Sequence, residues 1–214
     1  ENPLFASYTG DKRLNNKINS NSIEQFIADK SSNEESLRLL REIDPTKLSK
    51  ENKLNYKLKE FGLLNSIGTQ NFPTYYLRLN QRGGIQSFYE TGNRLVYTTK
   101  KDYYDWLERL HQFVDNIDNF REINKKGLET GHTQPKLVTR AVISQIESIT
   151  SSDIESNPYL KVFLEADDNI LTTSEKADLI NDAKKLIENK INPAYIKLNN
   201  FLEDEYLPKS RNSI

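Results

Sequence analysis

The sequence predicts an all-α protein, an antiparallel bundle of helices with one long loop that is rich in aromatic residues and glycine. Apolar residues recur every three or four positions over most of the chain, which is the spacing of one face of an α-helix. Between residues 72 and 99 this spacing stops, and Pro73, Gly83, Gly84 and Gly92 follow one another instead. The fold class rests on these two observations.

The N-terminal part divides at residue 21. Residues 1–21 are weakly patterned and are predicted to be a loose leader, with residues 22–214 forming the helical region. A first helix begins at Ser22, and a second stretch of helical spacing ends at Pro45. Ser49 is the predicted N-cap of the next helix, because a serine side chain can accept a hydrogen bond from a free amide there. The apolar side of that helix is predicted to consist of Leu54, Leu58, Phe61 and Leu64.

The loop at residues 72–99 is predicted to be structured. Its runs 74–77 and 95–98 are typical of short strands, which leaves room for a small hairpin. Loops longer than about 12–15 residues without secondary structure are usually functional or disordered. This one carries too many aromatic residues and too few charges for disorder.

The most regular helix is predicted over residues 99–126, and Gly127 is its predicted C′ residue. Pro135 then stands at the first position of a helix that runs to residue 149, and a short helix covers residues 158–165. The apolar stripe of the most regular helix consists of Tyr103, Trp106, Leu110, Phe113, Ile117 and Phe120.

The last helix, capped by Thr173 or Ser174, keeps its apolar spacing from Ile180 to Leu202 and passes through Pro193. Proline removes one hydrogen bond and its ring clashes with the carbonyl four residues earlier. We therefore expect either one helix that is kinked at residues 189–193 or two helices that share a face. Pro208 is predicted to end it.

Composition excludes several classes of protein. The net charge is -1, so no basic excess indicates a nucleic-acid partner. Cysteine is absent, which excludes disulfides and thiolate zinc sites, and no apolar run is long enough to span a membrane. The 214 residues contain no methionine, so we expect residue 1 not to be a native start and the chain to be the front part of a larger protein.

No catalytic or metal-binding residue is predicted in this chain. A zinc enzyme needs about three converging protein ligands, and the sequence has only two histidines, His111 and His132. His111 and Asp115 are spaced for an ion pair on a helix surface, and His132 lies in a turn between glycines. No cofactor is therefore expected in this chain.

Two groups of residues are candidates for substrate binding. The first is Asn80, Gln81, Arg82, Gly83 and Gly84. Adjacent glycines allow positive φ and close backbone approach, and the amides and guanidinium supply hydrogen-bond donors. The alternative is a tight turn that seats the loop on the bundle.

The second candidate group is Tyr206 and Arg211, which follow the last helix together with Lys209. A capped and solvated helix end is the alternative for these residues.

Four blocks of the sequence, in their order and spacing, resemble a known family. They are LRLNQRGGIQS, TTKKDYYDWLERL, GLETGHTQPKLVTRAVISQI and INPAYIKLNNFLEDEYLPKSRNSI, between residues 77 and 214. They resemble the front region of the domain of unknown function 885 family. The resemblance implies a bacterial protein, often an exported lipoprotein, whose longer chain is similar to zinc-dependent carboxypeptidases with a helical, zincin-like channel.

The family's metal motif, of the His-Glu-x-x-Pro-Gly-His type, is not in this sequence. The resemblance therefore implies that any zinc is bound by the missing C-terminal part. That part and a peptide are the expected partners. The expected location is outside the cytoplasm, in the periplasm or at a membrane as a lipoprotein.

Two functions remain open. The first is a non-catalytic N-terminal region that forms part of a substrate-channel wall in a metallopeptidase-like protein. The second is a stand-alone helical interaction module that binds a partner through residues 72–99. A bare apolar face on the last helix would favour the first, and a fully covered bundle with a polar rim would favour the second.

Overall fold

The computed structural model describes residues 2–212, which form helices joined by short connections and contain no β-strand. The predicted all-α class is confirmed. Its α-helices are α1 (Pro3–Tyr8), α2 (Ile23–Arg41), α3 (Lys50–Gln70), α4 (Tyr89–Arg94), α5 (Lys100–Glu129), α6 (Lys136–Thr150), α7 (Lys161–Leu164), α8 (Thr173–Leu186), α9 (Asn192–Phe201) and α10 (Leu207–Lys209). Short 3-10 helices cover Pro45–Lys47, Pro73–Tyr76, Ile85–Ser87 and Ile154–Ser156.

Helix α5 is the centre of the hydrophobic core. Each of the six residues of its predicted apolar stripe is buried, and Trp106 is only 1% exposed. Phe88 stacks on two of them, with ring centroids 4.2 Å from Phe113 and 5.5 Å from Trp106. The 3.6-residue period therefore identified the buried face of this helix correctly.

The C-terminal cap of α5 lies further along the chain than predicted. The helix continues through Gly127 to Glu129, and the residue with positive φ is Gly131, at +77°. The amide of His132 donates to the carbonyl of Gly127 over 2.8 Å, and that of Gly131 donates to Leu128 over 3.3 Å. These two bonds form a Schellman motif. Gly127 instead makes room for its neighbours, since a Cβ there would lie 2.8 Å from the His132 carbonyl oxygen.

The last helix is continuous from Thr173 to Lys209 but contains two π-helical segments, Ile187–Ile191 and Leu202–Tyr206. Each segment ends two residues before a proline, Pro193 or Pro208. A π turn closes its hydrogen bonds over five residues and so absorbs the bond that a proline cannot make. The expected disturbance near Pro193 is thus a widened turn, and Pro208 lies inside the last turn instead of ending the helix before it.

One of the two predicted N-caps is confirmed, and the other is wrong by at least one residue. The Ser49 side chain accepts from the amide of Asn52 over 3.2 Å, as predicted. The last helix is capped by Thr172, one residue before the predicted Thr173, and the Thr172 amide donates to the Glu175 carboxylate over 3.0 Å. This reciprocal pair is a capping box.

Residues 72–99 contain helical turns where a hairpin was expected. Within this range the structure has Pro73–Tyr76, Ile85–Ser87 and α4, and the two strand-like runs do not pair. Gly92 lies directly on the indole of Trp106, where a Cβ would be 2.5 Å from the ring. The hydroxyl of Tyr97 donates to the Gly92 carbonyl over 3.0 Å. Phe88 and Tyr97 of this segment stack on aromatic rings of α5, and that packing overrides their β propensity.

In place of a loose leader, residues 2–21 are held along α5 by hydrogen bonds. The guanidinium of Arg109, which is fully buried, donates to the carbonyls of Pro3, Leu14 and Lys17 over 2.9–3.2 Å. It also donates to the Ser7 hydroxyl over 2.7 Å. These bonds go to Nε and Nη2, while Nη1 is buried without a hydrogen-bond partner, and no carboxylate is hydrogen-bonded to this buried charge. The division of the chain at residue 21 stays a prediction.

Helices α2 and α3 form a hairpin whose facing residues include Leu37 and Leu63, both buried. The side of α3 that was predicted to be its apolar side points away from this contact. Its four residues are 46–71% exposed: Leu54, Leu58, Phe61 and Leu64. Helical spacing is present on this side, but no described element covers it.

We predict that Trp106→Ala lowers the free energy of unfolding by about 3–5 kcal/mol, the usual cost of removing a buried aromatic side chain. Urea denaturation of the variant and the wild type measures this difference. The matched control is Tyr104→Ala on the same helix, since Tyr104 is 38% exposed. That control should change stability by less than about 1 kcal/mol. An equal, small effect of both substitutions would contradict the burial of Trp106.

We predict a pH-dependent contribution from Asp102. Burial raises the pKa of Asp102, but hydrogen bonds from Lys12, Thr98 and Thr99 lower it more, and the pKa falls from 3.8 to about 2. Because the folded pKa is depressed, the stabilisation is present above about pH 4 and is lost as the pH falls towards 2. When the shift in pKa is converted to free energy, this stabilisation amounts to about 2 kcal/mol.

The measurement is urea unfolding of Asp102→Asn and wild type at pH 6 and at pH 2. The variant should be less stable at pH 6 and should match the wild type at pH 2. Glu35→Gln is the control for an exposed ion pair, which should change stability little at either pH. A deficit of Asp102→Asn that is the same at both pH values would show that the charge of Asp102 does not matter.

Candidate functional site

The five residues of the first candidate group form an exposed tight turn that is closed by its own side chains. The Asn80 carboxamide accepts from the Arg82 amide over 3.0 Å and donates to the Gly83 carbonyl over 3.1 Å. The Ser87 hydroxyl accepts from the Gly84 amide and donates to the Gly84 carbonyl, both over 3.1 Å. The turn therefore has a fixed backbone shape before any ligand binds.

Two glutamines tie this turn to α6. The Gln86 amide nitrogen donates to the Asn80 carbonyl and to the Gln145 side chain, both over 2.8 Å. The Gln145 amide nitrogen donates in turn to the Gln81 carbonyl over 2.9 Å. Gln86 ends the predicted candidate segment, but sequence reasoning missed Gln145, because an isolated polar residue on a helix gives no periodic signal.

A buried pair of tyrosines supports the turn from below. The Tyr195 hydroxyl donates to the Ile85 carbonyl over 2.7 Å and lies 2.6 Å from the Tyr159 hydroxyl. Since a phenol has one proton to donate, Tyr159 must be the donor in the pair. Burial raises the pKa of both phenols well above their usual range, so both keep their protons. The chain of bonds from Tyr159 to Ile85 is therefore complete at ordinary pH.

The glycine pair lies in a tight turn seated on the bundle, which was one of the two predictions, but without the positive φ that glycine allows. Neither glycine has positive φ, and Gly84 adopts an extended conformation with φ -139°. A Cβ on Gly84 would lie 2.7 Å from the Gln86 side-chain oxygen and 3.0 Å from the Asn80 carbonyl oxygen. A Cβ on Gly83 would meet nothing closer than the Ser87 hydroxyl at 4.0 Å. Gly84 thus allows the turn to close, and Gly83 leaves its outer side open.

The turn separates two surface clefts. One has a volume of about 340 Å³ and is lined by polar side chains, among them Gln81, Arg82, Glu90 and Gln145, and also by apolar Ile149 and Pro158. Glu90 in this cleft is paired with Arg94 over 2.8 Å. The Arg82 guanidinium is exposed and has no hydrogen bond or ion pair among residues 2–212. It is therefore an available cation at the rim of a polar cleft.

The second cleft lies on the other side of the turn and has a volume of about 490 Å³. Asn80, Gly83 and Gly84 form one wall, and Phe88 and Phe113 contribute apolar surface. The first candidate group thus contributes to both clefts.

The second candidate group lies apart from the first. The buried Tyr206 hydroxyl accepts from the Gln134 amide over 2.8 Å, and burial raises its pKa. The Arg211 carbonyl accepts from the Lys136 amide over 2.9 Å, while the Arg211 side chain is exposed. Neither residue lines the two clefts. Gln134 provides the connection between the two groups, since its side chain also donates to the Leu77 carbonyl over 2.7 Å.

Neither histidine lines the two clefts. His132 belongs to the cap of α5, and its ring nitrogen lies 3.0 Å from the Thr130 hydroxyl. The predicted ion pair between His111 and Asp115 does not form in the described part of the chain. Within residues 2–212, no three side chains of the metal-ligating types come together. No helix in that range is both long and apolar enough to cross a bilayer.

We predict that Gly84→Ala destabilises the protein and that Gly83→Ala does not. The added methyl at residue 84 collides with a backbone oxygen 3.0 Å away, and overpacking of this kind costs roughly 1–3 kcal/mol. At residue 83 the methyl meets open space, and the loss of unfolded-state freedom favours folding by about 0.4–1 kcal/mol. Thermal unfolding of both variants tests this, and equal shifts would contradict the geometry of the turn.

Comparison with known proteins adds one solved structure of similar fold. It is "The crystal structure of the putative lipoprotein from Colwellia psychrerythraea", with a TM-score of 0.82 and 19% sequence identity. The similarity covers 97% of this chain and 38% of the Colwellia chain, so this chain spans well under half of that protein's length. At this identity the likeness shows a shared fold alone.

No curated protein matches the chain. One family model, described as "Bacterial protein of unknown function (DUF885)", matches residues 3–213. The match extends the four-block resemblance, which begins at residue 77, to the N-terminal helices as well. The chain therefore belongs to the DUF885 family of bacterial proteins.

Proposed function

We propose that this chain is the N-terminal helical, non-catalytic region of a metallopeptidase-like bacterial protein and forms part of the wall of its substrate channel. The observation that carries the proposal is the rigid turn at residues 80–84, which presents an unpaired Arg82 at the rim of a polar cleft. This chain spans 38% of the Colwellia chain, which supports the proposal that it is one region of a longer protein.

Arg82 is suited to bind the carboxylate of a peptide. A guanidinium presents parallel donors that match both oxygens of a carboxylate, and such charge-assisted bonds are the strong ones. Because Asn80, Gln86 and Gln145 already fix the turn, little conformational freedom is lost when a ligand binds. The polar lining of the cleft can accept the peptide's amides in addition.

The reacting groups belong, in this proposal, to the rest of the larger protein. Zinc-dependent hydrolysis needs the ion, an activated water and a positioned base. The polar groups of the first cleft include the amides of Gln81 and Gln145 and the guanidinium of Arg82, which can bind and orient a substrate. We propose that zinc, as the resemblance implies, is held by another region of the larger protein.

The proposed location of the whole protein is outside the cytoplasm. The Colwellia protein of the same fold is described as a "putative lipoprotein". We propose that the larger protein is exported and acts in the periplasm or at a membrane as a lipoprotein. Fractionation of the producing cells checks this, and recovery in the cytoplasm alone would contradict it.

A stand-alone interaction module is the second candidate, and one observation favours it. The apolar face of the last helix is covered, with Ile196 its one large apolar residue among the clearly exposed ones in the described range. A bare face there was the feature expected of an incomplete protein. The bare apolar face lies on α3 instead, so the bundle is not fully covered either. Under this alternative, residues 72–99 bind a partner without any turnover.

We predict that Arg82→Ala in the protein expressed from its complete reading frame lowers kcat/KM on carboxylate-bearing peptides by roughly 10- to 100-fold. The loss corresponds to about 1.5–3 kcal/mol for a hydrogen bond to a charged group. Arg211→Ala tests the second candidate group and should have a smaller effect, because Arg211 lies outside both clefts. Arg38→Ala is the control, since Arg38 is an exposed, ion-paired arginine on α2 that lines neither cleft.

Steady-state turnover of a peptide panel measures these effects. Wild-type kcat/KM in both Arg82→Ala and Arg211→Ala on every active substrate would show that these arginines do not line the channel. Cleavage of peptides by the 214-residue chain itself, with zinc added, would contradict its assignment as non-catalytic.

A further inference from the structure

Helix α3 is apolar on two opposite sides. Successive residues of an α-helix are about 100° apart, so Leu63 and Ile67 lie on one side and Leu54, Leu58 and Phe61 on the other. The first side faces α2, and Leu63 is buried there. The second side is bare, with Phe61 the most exposed of its apolar residues at 71%.

The hairpin of α2 and α3 makes few contacts with the other helices of the bundle. The main contacts of α3 are with α2 and with the neighbouring turns Pro45–Lys47 and Pro73–Tyr76. A helix with one apolar stripe buries it against one neighbour, and a second stripe indicates a second neighbour. No element within residues 2–212 fills that place.

The charged residues beside the bare stripe indicate what kind of surface packs against α3. Lys50, Lys53 and Lys57 lie beside the bare stripe, and none of them has an ion pair in the described part of the chain. A second copy of the chain would bring these lysines together with their own equivalents, and like charges placed against each other disfavour that contact. The neighbour should instead carry acidic residues around an apolar patch.

A bilayer surface fits less well than a protein surface. Helices that lie on membranes have one apolar side and one polar side that stays in water. The opposite side of α3 is occupied by α2, and the bare stripe is short, from Leu54 to Leu64. A helix that is apolar on two sides is typical of one packed between two protein layers.

We propose that the outer face of α3, defined by Leu54, Leu58, Phe61, Leu64 and the adjacent lysines 50, 53 and 57, is the docking surface for the remainder of the larger protein. The inference rests on the proposed function, in which this chain is one region of a longer chain. The Colwellia protein carries this fold within a chain of which it makes up 38%. The docking region is an apolar patch rimmed by aspartate or glutamate, and the contact makes α3 an internal helix.

The test is photo-crosslinking in the protein expressed from its complete reading frame. Phe61 is replaced by p-benzoyl-phenylalanine, an aromatic residue of similar shape that links to whatever lies against it. We expect a link within one molecule to a residue outside the 214 residues of this chain, found by mass spectrometry. Lys59→p-benzoyl-phenylalanine is the control on the same helix, and its yield should be roughly tenfold lower because it points away from the contact.

Maleimide labelling of Phe61→Cys in the complete protein is the second measurement, and it does not depend on crosslinking chemistry. This chain has no cysteine of its own, and the thiol should react at least about tenfold more slowly at residue 61 than at residue 59, as expected for a covered site. Fast labelling, a link to a second copy or a link to lipid would overturn the docking surface and leave the proposed function intact. A reading frame without a further domain would overturn both.

Discussion

Burial of the aromatic stripe of α5 is the interaction on which the rest of this structure depends. Trp106 and Phe113 stack with Phe88, which brings the segment 72–99 onto the core, and Phe113 also contacts Tyr195 of α9. The polar side of α5 is used as well, because buried Arg109 holds the N-terminal segment by its carbonyls. The turn at residues 80–84 is therefore positioned by the packing of Phe88 on α5 and by the bond from Tyr195 of α9 to the Ile85 carbonyl.

Helix faces whose apolar residues repeat at regular spacing were predicted from the sequence, whereas contacts made by single residues were missed. The stripe of α5 and the face of the last helix follow the 3.6-residue period, so both were found. The N-terminal segment is held by single hydrogen bonds from polar side chains to carbonyls, which leave no period to detect. On α3 the period is present on both sides, and spacing alone does not say which side meets a neighbour. The turn at residues 80–84 was visible from its glycines, but Gln145 and Tyr195 are 59 and 110 residues from their partners.

The chemistry of the turn follows from this construction. Its backbone oxygens are occupied by Gln86, Gln145 and Ser87, so the groups that remain for a ligand are side chains, above all that of Arg82. A turn held this tightly can bind without rearranging. It also has little freedom to act as a closing lid, and any motion that admits a substrate has to come from elsewhere.

The two π segments have a consequence for the direction in which the side chains of the last helix point. A π turn amounts to one residue inserted into an α-helix, and each insertion rotates everything after it by about 100°. Such a rotation would normally turn the apolar side outward, yet Leu198 and Tyr206, which lie after the first and inside the second, are buried. The wider turns thus keep one apolar face directed at the core along the whole helix, because steps of four residues span one wider turn beside Pro193 and Pro208.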